Sequence, residues 1–203
     1  MIIRGEVGEQ FLSDGADSRF RQGRQGELMV SELHGRYYEA ALRGRVFCAA
    51  NQAAAALSLL SATATGLILT NPAGSGKNLE LLEIAVALAT APAGIATLGL
   101  AANVNVVAAA VVHTTPLIVR PTLIGGSLGA VGLADSAATL PAAPVLIRGI
   151  GGGPVATGSV TAPFIKDDVG GAIILAPGTA ISLSAFTTAI SVIASFTWAE
   201  WPV

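Results

Sequence analysis

Cysteine is almost missing: Cys48 is the only one in 203 residues. A single thiol excludes an intrachain disulfide framework and leaves too few sulfur ligands for a thiolate zinc site. Aromatic residues make up 5% and charged residues 12%, the latter about half the usual share. So little charge cannot comfortably cover a solitary sphere, and large apolar surface left on a protomer marks an interface. The expectation is an oligomer. The net charge of −2 supplies no basic footprint, so no nucleic-acid partner is expected. Between Ile84 and Val119 there is no Lys, Arg, Asp or Glu, yet Pro92, Gly94, Gly99, Asn103, Asn105, His113 and Pro116 punctuate that stretch. A spanning helix needs about 20 predominantly apolar residues with its backbone satisfied internally, so the passage reads as strands and turns and no membrane partner is expected. The first residues, Met1 to Arg24, lack the apolar core of a secretory leader.

What the chain does contain divides into two regimes. Seven arginines and seven acids fall within residues 1–45, and all ten prolines lie at Pro72 or beyond. Residues 1–45 therefore read as an extended, Gly-rich arm, and 46–203 as one β-sandwich body, a length that such folds reach without dividing. In the arm, Gly5, Gly8, Gly15, Gly23 and Gly26 break any helical period. Such a segment buries too little to offset its ordering entropy and needs a partner to order it. Its RFRQGR run holds Arg19, Arg21 and Arg24. These form either a solvated basic patch or a set of forks for carboxylates on a neighbouring subunit. Tyr37, Tyr38, Ala40 and Ala41 suit a short helical turn ending at Gly44.

The body reads as short strands between turn signals. Ile181, Leu183 and Ala185 share one parity, as do Ile190, Val192, Ala194, Phe196 and Trp198. A period of two places each set on one face of a strand, and the two strands read as antiparallel neighbours in one sheet. Strands are expected over 46–60, 64–71, 79–90 (Leu82, Ile84, Val86 and Leu88 on one parity) and 145–150, with another beginning near Ser159. Pro121 marks an edge strand within 117–124, and 125–144 reads as loop. About eight strands at this spacing predict an all-β sandwich or jelly roll.

Motifs of chemistry are incomplete. PAGSGKN at 72–78 resembles a phosphate loop, but Asn71 stands where the first glycine belongs and Asn78 where Ser or Thr must reach magnesium. A hairpin with Gly74 and Gly76 at positive φ is the reading adopted. His113 reads as a satisfied strand-end residue, His34 as packed beside Tyr37 and Tyr38, and Asp167-Asp168 as a solvated turn. No nucleophile elbow precedes a helix. No catalytic, cofactor or metal residue is assigned, and the chain is not read as an enzyme. At the C-terminal end, Trp198 continues the inward parity, and Trp201 is a candidate anchor for a subunit contact.

Three stretches carry a resemblance: HGRYYEAALRGRVFCAANQA (34–53), GLILTNPAGSGKNLELLEIAVAL (66–88) and PGTAISLSAFTTAISVIASFTWAEWPV (177–203). They are similar to the jelly-roll capsid decoration (cement) proteins of tailed bacteriophages. That resemblance implies a sandwich body, homotrimers, an arm reaching neighbours, and a place on the outer capsid surface of a virion with the major capsid protein as partner. It carries over no catalytic or metal residue. Arg19, Arg21, Arg24, Tyr37, Tyr38, Trp198 and Trp201 are then the interface candidates. The competing expectation is a phage tail or receptor-binding module whose 125–170 loops contact a host glycan. Such a site gathers exposed aromatics, and Phe164 is the sole aromatic there.

Overall fold

The computed structural model describes residues 34–90, 92–103, 111–126, 129–153 and 164–203, with the backbone alone of Gly5–Glu6 and Phe20–Arg21. Two compact units are present, Met1–Glu39 and Ala40–Val203. In the first, β1 (Gly5–Glu6) and β2 (Phe20–Arg21) pair in parallel. A short helix, α1 (Tyr38–Leu42), follows and stops at Gly44, whose φ of 66° ends the turn.

The second unit is a two-layered β-sandwich. In chain order its strands are β3 (Val46–Ala50), β4 (Ala55–Ala56), β5 (Thr63–Thr70), β6 (Lys77–Leu88), β7 (Ala96–Asn103), β8 (Val112–Pro116), β9 (Arg120–Pro121), β10 (Leu133–Thr139), β11 (Val145–Gly153), β12 (Phe164–Leu175), β13 (Ala180–Ala185) and β14 (Ser191–Pro202). One sheet runs β12-β6-β14-β3-β9 with β4 against β14, and the other β11-β7-β13-β5-β10-β8. All neighbours in these two sheets are antiparallel. The four-strand sets β3-β14-β6-β12 and β5-β13-β7-β11 give the connectivity of a jelly roll. Between β7 and β11 the chain inserts β8, β9 and β10, which widen both sheets on the same side.

The core lies between the layers. Leu67, Leu69, Leu98, Leu100, Ile181 and Leu183 meet Phe47, Leu79, Leu81, Ile84, Val86, Val192, Phe196 and Trp198 in one cluster. Facing sheets at about 10 Å interdigitate in this way. A smaller cluster of Ala64, Ile68, Ala138, Leu140 and Ala180 lies apart from it, on the opposite side of β5.

Several sequence expectations need correction. The strands at 181–185 and 190–198 are not neighbours in a sheet: β13 pairs β5 and β7, whereas β14 pairs β3, β4 and β6. Their inward parities face each other across the core, and 186–190 carries the chain from one layer to the other. All six residues of β13 are buried, because β13 is an inner strand with both faces covered. The 71–76 turn likewise crosses between layers and closes no hairpin, although Gly74 and Gly76 do take φ of 75° and 67°. In β6 the pairing slips where Thr197 opposes Glu83 and Trp198 opposes Leu81. This bulge at Leu82 moves Leu79 and Leu81 to the core face, so no single parity runs through the strand.

The supposed loop at 125–144 contains β10, a strand of mostly small residues paired with β5 on one side and β8 on the other. Gly151 to Gly153 do not break β11. They continue it with a register shift against β7. Asp167 and Asp168 are in β12, and the irregularity after them is taken up by Gly170 and Gly171 at φ of 58° and 84°.

Candidate interaction surface

The interface candidates have different fates. Arg19 and Arg24 lie outside the described residues. Of Arg21 only the backbone, in β2, is described. Tyr38 is exposed and stacks on His34 with ring centroids 4.0 Å apart, and the Arg36 guanidinium lies 5.2 Å over the Tyr37 ring. Tyr37 itself is half-buried. Trp198 is fully buried against Phe47, which removes it from any surface contact. Trp201 is half-buried, donates its indole N–H to Glu80 Oε2 at 2.6 Å, and carries the Arg45 guanidinium 4.8 Å over its ring. Both partners hold it in place from the same chain.

The polar side chains of the body are largely committed to one another. Glu200 is 2% exposed yet accepts from the backbone N–H groups of Val131 and Gly132 (2.9 Å each), from Trp198 Nε1 (3.3 Å) and from Lys77 Nζ (3.0 Å). A buried carboxylate is tolerated when its lone pairs are filled in this way. The lysine of the phosphate-loop look-alike is thereby assigned: Lys77 neutralises Glu200. The Asn71 amide donates to the carbonyls of Lys77 and Leu175 and accepts from Ser75 Oγ, which shapes the crossing turn from inside.

Arg148 forks onto Asp167, with Nη2–Oδ1 and Nε–Oδ2 both at 2.9 Å, and ties β11 to β12 across the layers. Lys166 pairs with Glu83 at 2.9 Å. His113 is held by its Nδ1, 2.6 Å from Oδ2 of the fully buried Asp135, whose Oδ1 has no hydrogen-bond partner. Sequence reading placed His113 correctly as a satisfied residue but missed Asp135. Its signal was a lone acid among small residues, which period-two patterning does not register. Burial raises the Cys48 thiol above its ordinary value.

Large aliphatic side chains, by contrast, are left exposed. Val145, Leu146 and Ile147 of β11 and Ile174 of β12 are exposed. They lie at the edge where the two layers part, and there the core opens into a cleft of about 330 Å³ lined by Ala102, Ile147, Ile173, Ile174, Leu175 and Ile181 among others. On the opposite edge of the sandwich, beyond β9, Ile124 is 87% exposed. Gly126 N–H bonds the Leu123 carbonyl at 2.8 Å and Gly125 takes φ of 90°, so Leu123–Gly126 is a type II turn with Ile124 at its tip. Sequence reading found neither feature, because a strand's exposed edge depends on which strand is outermost.

Among the described residues there is no group of three or more His, Cys, Asp and Glu side chains that could hold a metal ion, and no helix long and apolar enough to cross a membrane. What fold and surface define together is an antiparallel jelly-roll sandwich with bare aliphatic edges. No protein-family model matches the chain, and neither a curated protein nor a solved structure matches it.

Proposed function

We propose that the chain is a virion structural protein, a non-enzymatic cement protein that coats the outside of an icosahedral bacteriophage shell and links neighbouring capsomers, working as a homotrimer. One observation carries this reading. A chain with 12% charged residues spends its buried ions on internal pairs while leaving Ile124, Ile174, Val145 and Ile118 more than half exposed. Aliphatic surface of that kind serves contact with other protein surfaces. The jelly roll suits it, being an architecture that viral shell proteins share with lectins and cupins, although fold alone does not assign function. The major capsid protein is the partner in this reading, and the arm, with Arg19, Arg21, Arg24, Tyr37 and Tyr38, is the part that reaches it.

Heating shells with and without the protein tests the proposal. Coated shells should keep their contents to a higher temperature than bare ones. Shells equally robust in both states but adsorbing poorly to cells without the protein would instead identify a receptor-binding module. Deleting residues 1–30 should weaken shell binding while leaving the sandwich folded, and undiminished binding would remove the arm from the mechanism.

A further inference from the structure

The aliphatic tip at Ile124 and the open cleft beside β11 are features of one chain on opposite edges of the sandwich. β9, which precedes the tip, ends the first sheet, and β12, which lines the cleft, ends it on the other side. The tip therefore cannot fill the cleft of its own sandwich. We infer that Leu123–Ile124 of one copy inserts into the cleft lined by Ile147, Ile173 and Ile174 of the next copy. This inference rests on the self-association in the reading above and requires no shell.

Three observations on the two surfaces support it. Exposed turns favour Gly, Pro, Asn, Asp and Ser, so an isoleucine at 87% exposure at the second position of a type II turn has no local reason to be there. The cleft reaches Ile181 of the core and Ile173 packed against it and, at about 330 Å³, has room for aliphatic side chains from a loop tip. Both surfaces are also apolar. No charged residue occurs from Pro121 to Ala134 or among the described residues lining the cleft. The nearest ion pair in sequence, Arg148–Asp167, is closed on itself. A charged partner would lose its hydration there without compensation, whereas an uncharged aliphatic tip loses nothing.

The contact joins different patches on the two copies, so it is heterologous, and such contacts close into rings when the rotation allows. In a ring of three every tip and every cleft is used, and none is left at an end.

Light scattering on the full-length chain eluting from a sizing column reads the prediction directly. The wild type should run near 61 kDa, three times the 20.3 kDa chain. Ile124→Lys and Ile147→Glu should each weaken association at least about tenfold, as loss of a central anchor does. Both side chains are exposed in the isolated chain, so circular dichroism and melting of each variant should stay unchanged. The combined Ile124→Lys, Ile147→Glu protein should regain the ring through the new ion pair, and Ile124→Glu with Ile147→Glu should not.

A wild type that is monomeric at every concentration, or single variants that keep the wild-type mass, would overturn the inference. So would an opposite-charge double no better than its singles. A ring that forms but fails to bind shells would leave this contact standing and remove the cement reading. A monomer that still protects shells would do the reverse.

Discussion

At the scale of single residues, Glu200 is the most consequential side chain in the body. It joins the end of β14 to the 131–132 segment, to Lys77 and to the core indole. Glu200→Gln keeps the shape but removes the charge that four donors share. Stability in urea should fall by about 2–3 kcal/mol, the scale of hydrogen bonds to charged groups. Lys77→Met should cost less, because Lys77 is a third exposed. His113→Ala leaves the buried Asp135 carboxylate without a partner and should cost about 2–4 kcal/mol. Adding Asp135→Ala should return part of that loss, which a double-mutant cycle will measure.

Cys48 makes a prediction in pH. Its folded thiol holds its proton more tightly than the unfolded one, so its share of stability is intact below the unfolded value. That share is lost as pH rises through the folded value. Alkylation of the native protein should therefore lag behind that of the urea-unfolded chain on the alkaline side. Equal rates at each alkaline pH would contradict the burial seen here.

At the scale of elements, two glycines that look alike in sequence should behave differently. At Gly66, φ is 120° and a Cβ would lie 2.2 Å from Leu57 Cδ2 and 3.3 Å from the Leu183 carbonyl oxygen. Gly66→Ala must both strain the backbone and displace Leu57, and should cost at least about 2 kcal/mol. At Gly74, φ is 75° with nothing within 4 Å. Gly74→Ala meets conformational strain alone, about 1 kcal/mol. Thermal melting of the two variants checks the order.

Element type was largely legible in the sequence because period-two patterning is local. β5, β13 and β14 appear where Leu67 and Leu69, Ile181 and Leu183, and Phe196 and Trp198 alternate, and α1 ends at Gly44 as read. Partnership was not legible. Nothing within 180–202 states that β13 and β14 belong to opposite layers, since that is decided by β5 and β3, more than a hundred residues away. Strands rich in small residues were missed for a different reason. β10 and the glycines of β11 carry little apolar contrast, so their pairing comes from position in the sheet. The candidate surface was legible only at its aromatic members. Tyr37 and Tyr38 could be named from residue type, whereas Ile124, Ile147 and Ile174 become prominent only once the edges of the sandwich are known.

At the scale of the whole molecule, the account rests on where a weakly charged chain puts its charge. Buried ions close on each other inside or across the layers, and aliphatic residues are left on the edges. Such a molecule gains stability by covering those edges with other protein. The most direct measurement is sedimentation of purified protein with bare phage shells over a range of concentrations. The account predicts saturable binding at a fixed number of copies per capsomer. No cosedimentation at any concentration, or binding that rises without reaching a limit, would contradict it.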